Sequence, residues 1–287
     1  MSRLEVVEAL AADLTAEAGD LQSILRGIGD EEWATETPAP GWTIHDQVAH
    51  LAHFDAITRL AIDDPAAFVT FRDGLPDLQT YVDAVGGRYA AKSGAKMLAW
   101  WQQESAALRD SVVAADPDTR VPWFGPAMSL PSKITARIME TWAHGQDVVD
   151  AIGAQRPPTD RIRHVVRIGV LSFPNSFRAR GRDVPQTEVY VELTAPDRKS
   201  VWQWGDPKAS NAVRGSALDF CLVVTQRRHR ADTDLQTSGL VAAQWMEIAQ
   251  AFAGPPGQGR RPGQFRDPKP PTPGVAHRSS IRESKRG

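Results

Sequence analysis

The spacing of apolar residues changes once along this chain, near Gly181, and that change limits the fold more than any single motif. Before it, apolar positions recur at helical spacing. Residues 2–28 place Leu4, Val7, Leu10, Leu14, Leu21, Leu25 and Ile28 on one helical stripe. Thr43 and Asp46 form a T-x-x-D capping signature that opens a second helix over about 43–63, ended near Asp64-Pro65. Short helices broken by Gly74, Pro76 and Gly86-Gly87 follow. Long helices are then expected over about 93–116, 132–152 and 159–179, with Pro131 where a first helical turn accepts it. VPWFGPAMSLP reads as a loop whose exposed Trp123-Phe124 pair could lid a cleft. After Gly181, TEVYVEL alternates like a half-buried strand, and VWQWG gives a second strand beyond the APDRKS turn. NAVRGSALDFCLVVTQRRH turns into a helix or a buried strand, and 240–253 closes as a helix. The expected class is α plus α+β: a helical bundle over 1–182 and a smaller α+β domain over 183–253.

The 287 residues carry a formal charge of -2, unevenly shared. From Gly254 onward eight Lys and Arg face two acids, leaving 25 basic against 33 acidic residues in the body. Residues 254–287, rich in Pro, Gly and Arg, lack the apolar surface to offset ordering entropy and are expected to form a disordered basic tail. The balance of the whole chain excludes a strongly basic nucleic-acid binder, and no nucleic-acid partner is expected. No apolar run approaches the ~18–20 residues of a membrane span. The N-terminus carries acids where a signal peptide needs an apolar core, so a cytoplasmic location and no membrane partner are expected. The single cysteine, Cys221, fits a reducing compartment and excludes both an internal disulfide and a Cys-rich zinc ribbon. It lies in an apolar run and reads as an inert buried thiol. No P-loop, G-x-S-x-G or strand-borne G-x-G-x-x-G supports nucleotide-dependent chemistry or serine hydrolysis.

Three residues carry the chemistry best. Glu140 and His144 stand at i and i+4 in METWAHGQD, so they stack on one helical face. His50 lies on another helix, on a stripe with Phe54 and Ile57 that should face the bundle interior. Two helices can thus bring two imidazoles and one carboxylate to one point, as bundles do when they hold metals. That donor set suits Zn²⁺ and leaves a coordination position open for water, a substrate oxygen or a thiolate. An E-x-x-x-H pair is also a common surface ion pair, and a lone histidine on an apolar face is more often a hydrogen-bonded core residue.

PGWTIHDQVAHLAHFD resembles the signature of the mycothiol-dependent maleylpyruvate isomerase N-terminal domain, part of the DinB-like four-helix-bundle superfamily. The matching positions are Pro40-Gly41-Trp42-Thr43, Asp46 and Ala49-His50-Leu51, and METWAHGQDVVDAIG supplies the second motif with Glu140, His144 and Asp147. The resemblance covers about 1–180 and implies a DinB-like four-helix bundle. It implies a divalent metal held by His50, Glu140 and His144, and mycothiol as co-substrate. GSALDFCLVVTQRRH is similar to the Asp-containing helix, ending in arginine, of that family's sterol-carrier-like second domain. The layout with VWQWGDP and AQAFAGPPG is closer to an actinobacterial branch described only as metal-binding proteins.

Asp147, one turn past His144, could orient a ligand imidazole or carry a proton. Arg228 is the best match to an arginine that faces the metal cleft in the isomerase, and could clamp a carboxylate. A solvated QRRHR charge run is the plainer reading. His53 is expected to support the site from behind or to lie at the surface, and His45 to face solvent. The leading expectation is a thiol-dependent metalloenzyme performing isomerisation or S-transfer on a small electrophile. A hydrolase using metal-bound water competes with it, as does a binding protein without turnover, either a metal- or lipid-binding module or a nucleic-acid associate tethered by the basic tail.

Overall fold

The computed structural model describes residues 1–265. Residues 266–287 of the expected tail lie outside the described residues. Helix α1 (Arg3–Leu25) starts at a capping box between Ser2 and Glu5. Helix α2 (Ile44–Asp63) starts at the expected box: Thr43 accepts from the Asp46 amide, and the Asp46 carboxylate accepts from Thr43. Short helices α3 (Pro65–Asp73), α4 (Leu78–Asp83) and α5 (Val85–Arg88) lead to the long α6 (Gly94–Ala114). A two-stranded hairpin, β1 (Arg120–Val121) and β2 (Met128–Ser129), precedes α7 (Leu130–Ala151). Helices α1, α2, α6 and α7 form the bundle, with α1 and α2 each packing on both α6 and α7.

The Trp123-Phe124 pair at the hairpin tip is half-buried, not exposed as the sequence suggests. Trp123 stacks on Phe68 with ring centroids 5.6 Å apart, and Phe124 meets Phe54, Phe68 and Phe71 edge-on. The single helix expected over 159–179 is two, α8 (Ile162–Leu171) and α9 (Phe173–Arg178). Pro174 has no N–H for the Val170 carbonyl, so the ladder breaks there.

Strands β3 (Val189–Thr194), β4 (Val201–Trp204), β5 (Asn211–Ser216) and β6 (Gln236–Ser238) form a mixed sheet ordered β4-β3-β5-β6. The β3–β4 and β5–β6 pairs are antiparallel, and β3–β5 is parallel with Val191 opposite Val213. The 211–229 stretch resolves into both expected alternatives, strand β5 and then helix α10 (Ala217–Val224), capped by Ser216 accepting from the Asp219 amide at 3.0 Å. Helix α11 (Leu240–Ile248) stops short of the expected end at 253. No helix among the described residues is long and apolar enough to cross a membrane.

Two clusters fill the bundle, and a third lies between the sheet and α8, α10 and α11. Helix α7 serves both sides. Ile134, Ile138 and Val148 face the bundle, whereas Met139, Trp142 and Ala143 pack into the third cluster with Val165, Phe220 and Trp245. Helices α8 and α9 therefore pack with the sheet, and the sheet-side core draws on residues from Met139 of α7 onward, well before the change of texture near Gly181. A Cβ on Gly169 of α8 would meet Phe220 and Val224 at 2.8 Å, so glycine permits the close α8–α10 contact.

Residues from Gly254 to Phe265 form no regular structure, yet they are laid on the body and are not the start of a free tail. Gly263 N–H donates to Asp232 at 2.7 Å, and Arg260 pairs with the buried Asp147 at 2.5 Å.

Candidate metal centre

The site is assembled at the start of α2 and the middle of α7. Ahead of α2, the Thr37 amide and hydroxyl both donate to the Trp42 carbonyl at 2.8 Å. This clasp sets the Trp42 ring nearly parallel to His144, centroids 5.8 Å apart, and 5.4 Å from His50. The His50 and His144 rings are 4.4 Å apart. Glu140 Oε2 lies 3.2 Å from His144 Nε2 and 3.9 Å from His50 Nε2. One ligand atom from each of the three residues fits within 4.8 Å of the others. The imidazoles are 11% exposed and the Glu140 side chain 26%, so the cluster opens to solvent on the carboxylate side.

Hydrogen bonding dictates which nitrogen of His144 faces that opening. The Thr37 hydroxyl is spent as a donor on Trp42, so it accepts from Gln47 Nε2 at 2.9 Å. Gln47 Oε1 is thereby turned toward His144 Nδ1 at 2.5 Å, and a carbonyl oxygen can only accept. Nδ1 carries the hydrogen, and in the neutral ring Nε2 presents a lone pair to Glu140. Two electron-pair donors at 3.2 Å require a cation between them, a proton or a metal. Burial and the neighbouring His144 hold the His50 imidazole well below its usual range, so it is uncharged and ligand-ready. Burial alone would raise Glu140, but the His144 hydrogen bond and nearby positive groups hold its carboxyl well below the usual range. The buried His50 Nδ1 has no partner among the described residues. The donor chemistry fits a divalent cation.

Behind the cluster, Asp55 on α2 and Arg137 on α7 pair at 2.8 Å, both almost wholly buried. Arg137 also donates to the Leu51 carbonyl, and Trp101 Nε1 donates to the other Asp55 oxygen at 3.0 Å. This lock sets α2 against α7 one turn from His50 and from Glu140.

A sequence profile of the mycothiol maleylpyruvate isomerase N-terminal domain matches residues 14–149, the span that carries all three residues. An uncharacterised protein of Mycobacterium tuberculosis, found in two strains, is 41% identical over 250 residues, 87% of this chain and 97% of that protein. The chain belongs to the mycothiol maleylpyruvate isomerase N-terminal domain family. Two solved structures, the mycothiol-dependent maleylpyruvate isomerase and a histidine-to-alanine mutant of it, match 83% of this chain and 96% of theirs. Their TM-score is 0.56 at 13% and 12% identity, so they share the fold, bundle and second unit together.

Within this family fold, the other residues singled out in the sequence are placed as follows. Asp147 is fully buried and held by two arginines, Arg227 at 2.8 Å and Arg260 at 2.5 Å. Arg228 grips Asp150 with both Nη atoms, at 2.6 and 2.7 Å, and its guanidinium lies over the Phe265 ring. It is the neighbouring Arg227 that reaches the Glu140–Asp147 stretch of α7, donating also to the Ala143 carbonyl at 3.1 Å. His53 is buried and bridges Tyr89, at 2.9 Å, and Tyr81. Burial and Arg88 push its pKa down to about 4. His45 is half-buried, with Nε2 3.0 Å from the Lys92 carbonyl, rather than free in solvent. Cys221 is buried, and burial pushes its thiol well above the usual range. Trp42 belongs to the PGWT motif and Gln47 stands one turn before His50 on the same stripe, whereas nothing local in the sequence marks Arg227 over Arg228, or marks Arg260.

Proposed function

We propose that this chain is a divalent-metal-dependent enzyme that uses a low-molecular-weight thiol for isomerisation or S-transfer on an electrophilic small molecule. The observation that carries the reading is the convergence of His50, Glu140 and His144 within 4.8 Å, with His144 Nδ1 taken up by Gln47 so that Nε2 is the nitrogen facing Glu140. His50, Glu140 and His144 would hold the metal, and the nitrogen and oxygen donors suit Zn²⁺. A divalent metal there supplies the positive charge that deprotonates a coordinated thiol at neutral pH. The family relation favours mycothiol as that thiol.

The chain's own residues do the rest. Gln47 fixes the His144 tautomer, and a hydrogen-bonded partner behind a ligand imidazole also raises its basicity. Trp42 covers the two imidazoles and keeps water from that side. Glu140, the most open of the three, marks where thiol and substrate enter. Asp147, expected from sequence to orient a ligand imidazole or carry a proton, and Arg228, expected to clamp a substrate carboxylate, have their charges committed to ion pairs. We assign both to positioning: they tie the last turns of α7 to the second unit.

Metal analysis of the purified chain beside His50→Ala and Glu140→Ala tests the site. Stoichiometric divalent metal in the wild type, lost from both variants, is expected; metal retained by both overturns the assignment. Consumption of a maleylpyruvate-like electrophile should require added thiol. A rate unchanged by omitting thiol overturns the thiol half and favours water as nucleophile.

A further inference from the structure

A second polar site lies on the far side of α7 from the bundle. Residues 257–260, the C-terminal turns of α10 and α11 and Arg180 line a half-open cavity of about 80 Å³. A single water needs about 10–15 Å³, so the space holds several waters or one phosphate-sized ion. Its walls carry Arg180, Arg228, Arg230 and Arg260, with His229, against one carboxylate, Glu247.

The charges do not close. Arg228 is matched by Asp150, Arg230 by Glu247 and Arg260 by Asp147. Arg180 has only a carbonyl, donating to Ile248 at 2.8 Å. Arg260, its side chain 8% exposed, is held at Asp147, and its unpartnered Nε is too deeply buried to face the cavity. The Arg180 guanidinium is pushed down by burial, the direction an added anion would reverse.

We infer that this cavity binds a small oxyanion, a phosphate or carboxylate group, with Arg180, the lining arginine that has no carboxylate partner among the described residues, as its main donor. The guanidinium fork suits either group, because each offers paired oxygens. The site shares no residue with the metal centre. It is joined to it through α7, whose Asp147 and Asp150 hold two of its arginines.

Isothermal titration of the full chain with inorganic phosphate, and separately with malonate, at constant ionic strength tests the site. Saturable one-to-one binding is expected, and the better ion names the group. Arg180→Gln should weaken binding at least tenfold. Glu247→Gln removes the one lining carboxylate from a half-exposed position and should tighten binding several-fold, a gain that misfolding cannot mimic. No saturable binding of either ion, or equal affinity in all three proteins, overturns the inference. So does binding that vanishes in His50→Ala, since that ion would sit at the metal centre.

Discussion

Gln47 Oε1 and His144 Nδ1 meet at 2.5 Å across the α2–α7 interface, and this contact selects the imidazole nitrogen that faces Glu140. The chain of donors behind it runs through Thr37 to the Trp42 carbonyl, so the loop before α2 helps set the chemistry of a residue on α7.

Replacing Gln47 by leucine should therefore weaken metal binding without removing a ligand. Loss of such a supporting partner typically costs about 10–100-fold in affinity. Competition with a chromophoric chelator measures it. Wild-type affinity in Gln47→Leu would show that the tautomer lock is unimportant.

The Asp55–Arg137 pair is buried between the helices that carry the ligands. Arg137→Leu leaves Asp55 without its charge partner and should lower stability by about 3–5 kcal/mol. The double replacement Asp55→Leu, Arg137→Leu removes both charges and should lose less than Arg137→Leu alone. Urea unfolding of the single and double variants tests the ordering, and a double variant weaker than Arg137→Leu contradicts it.

His53 gives stability a pH dependence of known sign. Its folded pKa is about 4, below the ~6.5 of a free imidazole. Between these values the unfolded chain binds the additional proton, so stability rises with pH through the window. The His53 contribution is complete above about 6.5 and is lost as pH falls toward about 4, at no more than about 1.4 kcal/mol per pH unit. Urea midpoints at about pH 7 and about pH 5 should fall more steeply for wild type than for His53→Gln. Equal slopes would remove His53 from the account.

Asp147 answers two guanidiniums, whereas Arg260 answers one carboxylate. Asp147→Asn should cost about 3–5 kcal/mol, since it strips the counter-charge from two largely buried cations. Arg260→Ala leaves Asp147 still paired with Arg227 and should cost about 1–3 kcal/mol. Thermal melts of the two variants rank them, and the reverse order would show that the C-terminal segment, not Arg227, carries the clasp.

Much of the architecture was legible because it rests on local rules. Thr43 and Asp46 announce α2 through side chains that bond within three residues, and the change of periodicity near Gly181 announces the sheet. Helical spacing stacks Glu140 on His144 and puts His50 on an inward stripe, and the resemblance of the PGWT-x-x-D-x-x-AHL and E-x-x-x-H-x-x-D motifs to the family's is what joined the three into one set. What could not be read depends on contacts far apart in sequence. Arg227 and Arg228 are adjacent and chemically identical, and only the turn after α10 decides which meets Asp147 and which Asp150. Arg260 sits among prolines and glycines whose composition argues against order, yet one buried carboxylate on α7 holds it. Helices α8 and α9 look like part of the bundle by texture, and their apolar faces are used by the sheet instead.

The two faces of α7 bear on how such chains can be divided and inherited. Met139, Trp142 and Ala143 sit on the helix that carries two of the three candidate ligands, but they are covered by the second unit. A gene that kept the bundle and lost the sheet would expose this apolar strip to water beside Glu140 and His144. Any single-unit descendant has to replace those positions with polar residues or recruit another chain to cover them, and the same holds for a fragment excised at Ala151 for expression.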